Sequence, residues 1–382
     1  ILIDLFSGAG GLSAGLEMAG FKSILGVDID KNALDTFKEN HPDASTFHGP
    51  IEELSFEYLD SVLCGQKLNL LAGGPPCQGF STVGKGDPND QKNQLFKHYC
   101  RVLEYLSPDY FLFENVTGIL SKKNKPVLDQ IMDKFKSLGY SIIVSVLEAQ
   151  KYGVPQKRKR AILMGTKLGY KLELPMFTHD VELGGVYISP KTVGDALKLV
   201  NSTKNVFNNE KNFGNVKTSL LKKRLEHIPE GRGIRYKKDE DELLPDEFKL
   251  GIDWSKAREG RLRELHYHRF DRNKPAPTIN TRNSQYFHPI ETRYFTPREM
   301  ATFQSFPIDY KFMGSRTSQI KQIGNAAPPL LGKALGEEIL KSYTSQEVDL
   351  KEVNICEESV KYAFNYVNSK EINPKLKEQA IQ

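Results

Sequence analysis

Residues 70–81 read LLAGGPPCQGFS. Leu70, Leu71 and Ala72 have the character of a buried strand end. Gly73 and Gly74 let the backbone turn sharply and approach a ligand closely. Pro75 and Pro76 stiffen that turn, because each fixes its own φ and restricts the residue before it. Cys77 follows just past the carboxyl end of the strand, where open α/β sheets place their chemistry. Residues 79–93 read as a loop that closes over a substrate. A packing cysteine needs no such stiffened presentation, whereas a thiol on a rigid shelf beside a closing loop suits a nucleophile.

Towards the N-terminus, residues 1–6 are an apolar run ending in Ser7-Gly8-Ala9-Gly10-Gly11, and residues 12–19 carry helical spacing up to a stop at Gly20. Strand, glycine loop and helix make a cradle for a nucleotide-type ligand. A nicotinamide fingerprint would place a third glycine at position 13, where this chain has Ser13, which argues against an oxidoreductase. Residues 23–27 form a second strand with Asp28 at its end, placed to accept hydrogen bonds from both hydroxyls of a ribose. Ile29 suits the face of an adenine ring, and Asp30 caps the helix that begins near Lys31.

Towards the C-terminus, residues 93–106 read as a helix and 110–113 as a buried strand ending in Glu114-Asn115-Val116. Burial disfavours an ionised carboxylate there, which suits a group that gives up a proton near neutral pH. Pairing with a neighbouring arginine is the structural alternative, and the two are compatible. Residues 126–138 are an amphipathic helix stopped by Gly139, and 141–148 are another strand. Residues 156–160, QKRKR, lead into an apolar strand over 161–165. Alternation sends Gln156, Arg158 and Arg160 to one face; a solvated basic edge strand would show the same spacing. Strands alternating with helices predict a doubly wound α/β sheet.

The 382 residues leave room for a second domain, and the formal net charge of +5 is mild. No apolar run approaches the ~20 residues that span a bilayer. Cys64, Cys77, Cys100 and Cys356 are scattered without a CxxC pair, which predicts neither a zinc site nor disulfides and fits a reducing cytoplasm. His266 and His268 have no further ligands nearby, so no metal is expected. The strand-helix alternation fades after about residue 185. Residues 204–271 are polar, yet Tyr236, Trp254, Tyr267 and Phe270 among Gly and Pro turns predict a small, irregular folded domain. Its basic residues crowd 217–238 and 256–272, as phosphate-contacting residues would. Thr296, Pro297 and Glu299 predict a capping box. Residues 345–382 carry no recognisable site and read as a surface helix.

Several of these stretches, taken in order, resemble the C5-cytosine DNA methyltransferases: DLFSGAGG at 4–11, GPPCQ at 74–78, ENV at 114–116, QKRKR at 156–160, PTI at 277–279, RYFTPRE at 293–299 and QIKQIGNAAPP at 319–329. The resemblance runs from residue 1 to about 341. It implies a Rossmann-like methyltransferase sheet in a catalytic and cofactor-binding large domain (1–185). A smaller target-recognition domain (186–310) and a return to the large domain with a C-terminal helical extension (311–382) would follow. It implies transfer of a methyl group from S-adenosylmethionine to C5 of a cytosine flipped out of double-stranded DNA. Cys77 would add to C6, Glu114 would serve N3, and Arg160, with Arg158 beside it, would hold the base. The implied cofactor set is Phe6, Gly8, Gly10, Gly11, Asp28, Ile29, Ile51, Pro76, Leu95, Asn325 and Ala326. A prokaryotic, cytoplasmic, nucleoid-associated monomer fits, with a cognate restriction endonuclease as a compatible partner and no membrane role.

Two positions depart from the family pattern. Residues 49–51 are Gly-Pro-Ile where the family has Gly-Asp-Ile, so Pro50 offers no side-chain acceptor to an adenine amino group; Ala327 replaces a common valine. The alternatives are a tRNA cytosine-5 methyltransferase, whose recognition region would be shorter, and a catalytically silent DNA-binding relative. Pro50 favours the silent relative, and Cys77, Glu114, Arg158 and Arg160 argue against it.

Overall fold

The structure, a computed structural model, describes residues 1–76, 95–169, 172–183, 185–211, 216, 218–255, 267–281, 287–343 and 356–368. Cys77, the expected closing loop and His266 lie outside the described residues.

The chain divides into two compact units. The first holds Ile1–Tyr152, Arg158–Val181 and Ala326–Gln382. It opens with β1 (Leu2–Leu5), α1 (Gly11–Ala19), β2 (Ser23–Asp28), α2 (Lys31–Asn40), β3 (Ser45–His48), α3 (Phe56–Leu63) and β4 (Leu70–Gly73). There follow α4 (Leu95–Leu106), β5 (Tyr110–Asn115), α5 (Lys125–Ser137), β6 (Ser141–Glu148) and β7 (Lys159–Thr166). The strands form one seven-stranded sheet in the order β3-β2-β1-β4-β5-β7-β6. Neighbours from β3 to β5 are parallel, and β7 runs antiparallel to both β5 and β6. The strand order reverses between β1 and β4, which makes the carboxyl ends of these strands the expected ligand edge.

Alternate residues of each strand feed separate apolar layers. Ile3, Leu5, Leu71, Phe111 and Phe113 pack with Tyr99, Val102 and Leu103 of α4 and with Leu128, Ile131 and Phe135 of α5. Leu2, Leu70, Ala72, Tyr110 and Leu112 face the opposite layer with Leu12 and Leu16 of α1. Burial on both faces is why these strands read as near-continuous apolar runs.

The second unit holds Gly153–Lys157 and Glu182–Asn325. After a ribbon of β8 (Val181–Leu183) and β9 (Val186–Ile188) come α6 (Val193–Ser202), α7 (Ser219–His227), α8 (Lys237–Leu243), α9 (Pro297–Phe303) and α10 (Arg316–Asn325). Leu225, Ile228, Ile234, Leu244 and Phe287 form a core, with Trp254, Tyr267 and Tyr294 packed against it. Phe270 is buried and packs at a tilt against Phe295, ring centroids 4.9 Å apart. So little regular structure leaves many backbone carbonyls without ladder partners. Buried guanidiniums take them up. Arg269 donates to the carbonyls of Leu225, His288 and Glu291, and Arg298 to those of Phe207, Pro307 and Tyr310. Burial lowers Arg298 to about 10, still far above neutrality. The capping box forms as its spacing predicts: Thr296 Oγ1 accepts from the Glu299 N–H at 3.1 Å, and the Glu299 carboxylate accepts from the Thr296 N–H at 2.8 Å.

The chain then returns to the first unit as α11 (Pro329–Ser342) and α12 (Glu357–Asn368). Leu331, Leu335 and Ile339 of α11 complete the layer that contains Leu12 and Leu16. Small residues let the α1 and α11 backbones nearly touch. A Cβ on Gly15 would stand 2.1 Å from Pro329 O, and one on Gly336 would stand 2.7 Å from Ala19 Cβ. Gly15→Ala must therefore separate a pair of helices whose contact is backbone to backbone. Its expected cost is at the upper end of the roughly 1–3 kcal/mol typical of overpacking. A urea midpoint equal to that of the parent would show that the seam can open without loss.

The other late helix, α12, covers the edge strand β6, a usual protection for a sheet edge. The Cys356 N–H donates to Ile142 O at 3.0 Å, and Ser359 Oγ accepts from the Val144 N–H at 3.1 Å. None of the described helices is long and apolar enough to cross a membrane.

Candidate active site

Glu114 stands near the carboxyl end of β5, next to the turn that follows β4. Its Oε1 lies 2.5 Å from Arg160 Nε, and both side chains are largely buried. A Cβ on Gly74 would fall 2.9 Å from Glu114 Oε2, so only glycine allows the carboxylate this close to the turn. Asn115 Nδ2 donates to Pro75 O at 3.0 Å, while its Oδ1 accepts the Val116 N–H at 2.8 Å. The Tyr99 hydroxyl sits between Leu71 O (3.0 Å) and Leu112 O (3.3 Å), keying β4 to β5. The shelf at 74–76 is thus fastened to the strand that carries the carboxylate. Asn115 was legible only as one residue of a motif. Its role as a strut follows from an amide beside a strand-end carboxylate, facing a turn whose prolines cannot donate.

The alternation over 156–160 appears as expected: Gln156, Arg158 and Arg160 are buried, Lys157 and Lys159 exposed. Arg158 Nη2 donates to Ala326 O at 3.0 Å, and Arg160 Nη1 to Lys159 O at 2.8 Å. Within the second unit, Gln156 Oε1 accepts the Ile279 N–H at 3.2 Å, and Thr278 Oγ1 donates to Lys157 O at 2.5 Å. Asn325 ends α10 in that unit and is exposed, while Ala326 is half-buried in the first.

The loops after β1, β2 and β3 gather around Asp28. Asp28 Oδ2 accepts the Gly8 N–H and Oδ1 the Asp30 N–H, both at 2.8 Å, and its carbonyl accepts the Gly49 N–H at 3.2 Å. Burial raises the Asp28 carboxyl, opposed by the N–H groups of Asp30 and Gly8. Phe6 has φ 60°, an uncommon conformation for a side chain of that size, and Gly8 has φ 54°. Asp30 caps α2 through the Ala33 N–H, as read from the sequence. Ile29 is 69% exposed, an apolar side chain standing open beside this cluster.

Gly10 precedes Gly11 at the start of α1 and supplies no capping side chain. Ser13, at the position of the absent third glycine, donates to Asp4 Oδ2 at 2.7 Å. Asp4 is fully buried in β1, and burial pushes its carboxyl up to about 7 against that hydroxyl. Sequence reading gave Ser13 only a negative meaning; its hydroxyl ties the start of α1 to the centre of the sheet.

Other members of the implied cofactor set occupy varied positions. Pro76 is exposed. Ile51 is only 4% exposed within the apolar core, and Leu95 packs at the margin of the same core. Arg101 Nη2 holds the carbonyls of Ile51 and Leu54 at 2.9 Å each. Beside Pro50, Glu52 faces His98 at 3.5 Å, whereas Glu53 Oε2 lies 3.6 Å from the position of a Cβ on Gly49.

Comparisons with known proteins agree with one another. Residues 1–341 match the family model described as C-5 cytosine-specific DNA methylase. The chain is 34% identical over 352 residues to Type II methyltransferase M1.HphI of Haemophilus parahaemolyticus, covering 90% of this chain and 87% of that one. It is 33% identical over 372 residues to Type II methyltransferase M.DdeI of Desulfomicrobium norvegicum, covering 88% of each. Among solved structures, a prophage-encoded E. coli protein assigned as a DNA modification methyltransferase superposes with a TM-score of 0.69 at 25% identity, covering 90% of this chain and 99% of that one. Motif order, a seven-stranded sheet whose order reverses at the ligand edge, and a match over nearly all of the first 341 residues lead to one assignment: the chain belongs to the C-5 cytosine-specific DNA methylase family.

Proposed function

We propose that this DNA cytosine methyltransferase uses S-adenosylmethionine, takes its target cytosine out of duplex DNA, and attacks it through Cys77. The observation that carries the reading is the Glu114–Arg160 pair, packed against the turn from which Cys77 follows in sequence. Cys77 as thiolate forms a bond to C6 of the base. Glu114 hydrogen-bonds or protonates N3, so negative charge does not build up on the ring, and Arg160 holds the carbonyl oxygen. C5 thereby becomes nucleophilic. When bound, S-adenosylmethionine supplies the methyl group as an electrophilic sulfonium. Loss of the C5 proton and expulsion of the Cys77 sulfur restore the aromatic ring.

The residues of the first unit fit such a cofactor. Gly10 leaves the start of α1 uncapped, which suits a carboxylate. No described atom stands within 4 Å of a Cβ on Gly8, and Ile29 lies open for an adenine face. The lone pairs of Asp28 not used by Gly8 and Asp30 are available to ribose hydroxyls. We assign target recognition to the second unit, whose basic and aromatic residues suit phosphates and base edges. A cytoplasmic monomer accompanied by a restriction endonuclease of the same specificity belongs to this reading, since the relatives are Type II methyltransferases. Bisulfite sequencing of DNA from cells expressing the protein should show 5-methylcytosine at one short sequence. Unmethylated DNA from cells holding folded protein would overturn the proposal.

Pro50 gives a narrower test. Without the family's aspartate, the adenine amino group is left to water or to Glu53, the carboxylate at the Gly49 turn. A hydrogen bond to a charged group is worth about 1.5–3 kcal/mol, and partial replacement puts the deficit at the low end. Pro50→Asp should tighten S-adenosylmethionine binding several-fold by calorimetry, with the methylated sequence unchanged. Equal or weaker binding by folded protein would mean that the adenine is already served.

A further inference from the structure

The helix α12 lies beyond residue 341, where the match to the family model ends, and no site residue falls on it. It nevertheless makes two separate attachments, one to the turn that follows the strand of Glu114 and one to the strand that carries Arg160. At its C-terminal end, Asn368 Nδ2 donates to Leu120 O at 2.8 Å, and Asn368 Oδ1 accepts the Lys122 N–H at 2.9 Å. Leu120 ends the short turn Thr117–Leu120, which directly continues the Glu114-Asn115-Val116 strand end. Two residues earlier, the Tyr366 hydroxyl is hydrogen-bonded to both Glu148 Oε1 and Lys159 Nζ. Glu148 and Lys159 are register partners in β6 and β7, 3.3 Å apart as an ion pair, with the Lys159 ammonium over the Tyr366 ring. Lys159 O in turn accepts from Arg160 Nη1 at 2.8 Å. Ala363, about one turn before Tyr366, is fully buried in the core that includes Ile119, Leu120 and Ala161.

We infer that α12 is a positioning element for catalysis, Asn368 and Tyr366 fixing from behind the two strand ends that hold Glu114 and Arg160 in contact. A plain edge cover would need only the contacts to β6 near Cys356 and Ser359. The polar contacts at the far end of the helix extend past β6 to Lys159 of β7 and to the turn that follows β5. Misplacing reacting groups by about 1 Å can cost as much as about 10²-fold in rate. The inference rests on the proposed roles of Glu114 and Arg160.

The test uses the full chain with Asn368→Ala, Tyr366→Phe, Glu114→Gln and the two double variants, in single-turnover methylation of saturating duplex DNA. Each α12 variant should slow the methyl-transfer step about tenfold, with KM for DNA and calorimetric cofactor affinity unchanged. In the Glu114→Gln background the same substitutions should cost less than in the parent, because the ion pair they hold together is already gone. Unslowed rates, or equal slowing in both backgrounds, would overturn the inference. Glu114→Gln at the parent rate would instead overturn the reading of Glu114 itself, and this inference with it. Should Asn368→Ala fail to fold, Tyr366→Phe, which removes a single oxygen, decides the matter alone.

Discussion

Cys77→Ser should abolish methyl transfer while leaving S-adenosylmethionine binding nearly intact. A serine hydroxyl is a far poorer nucleophile than a thiolate near neutral pH, and loss of a covalent nucleophile costs on the order of 10⁴–10⁶ in rate. None of the other cysteines can substitute. Burial pushes the Cys100 thiol up to about 12, and Cys64 and Cys356 are exposed without a glycine-proline shelf. A duplex with 5-fluorocytosine at the target gives an independent readout. Fluorine at C5 leaves no proton to remove after methylation, so the sulfur cannot be expelled. The parent protein should run on a denaturing gel as a protein–DNA adduct and Cys77→Ser should not. Substantial methylation by the serine variant would sink the assignment.

Glu114→Gln should slow the chemical step by about 10²–10⁴-fold, the range for a lost general acid. The amide keeps the size of the side chain, so the turn at Gly74 and the Asn115 strut should persist. It removes the group that would serve N3 and the carboxylate partner of Arg160, which lies 2.5 Å away. A largely buried guanidinium without its carboxylate is a further cost, so a modest fall in stability should accompany the fall in rate. Single-turnover rates at saturating DNA separate the effects. A change confined to KM would show that Glu114 binds the base without assisting the reaction.

The large sheet was legible because its signals are local. Residues 141–148 read as one strand and end where β6 ends; Asp30 and Thr296 cap the helices their spacing announces. The alternation through Gln156, Arg158 and Arg160 was visible because period two is unambiguous when every second residue is lysine. What stayed hidden depends on contacts between residues far apart in the chain. Nothing near Asn368 announces Leu120, and nothing near Arg269 announces the carbonyl of Leu225. Ser13 shows a subtler limit: the pattern says which residue is missing, but only the fold shows Asp4 waiting for its hydroxyl.

The glycine seam between α1 and α11 has a consequence for how the protein is made. It joins a helix near the beginning of the chain to one near its end, with the whole second unit encoded between them. During synthesis the apolar row of Leu2, Leu70 and Leu112 waits for Leu331, Leu335 and Ile339, which leave the ribosome late. The inserted unit, complete at Asn325, has all its residues while the larger one still lacks a layer. Such long-range closure is slow and exposes sticky surface meanwhile. A stop codon ahead of α11 would therefore yield an aggregating chain, and chaperone demand during expression should fall sharply once residues 329–342 have been translated.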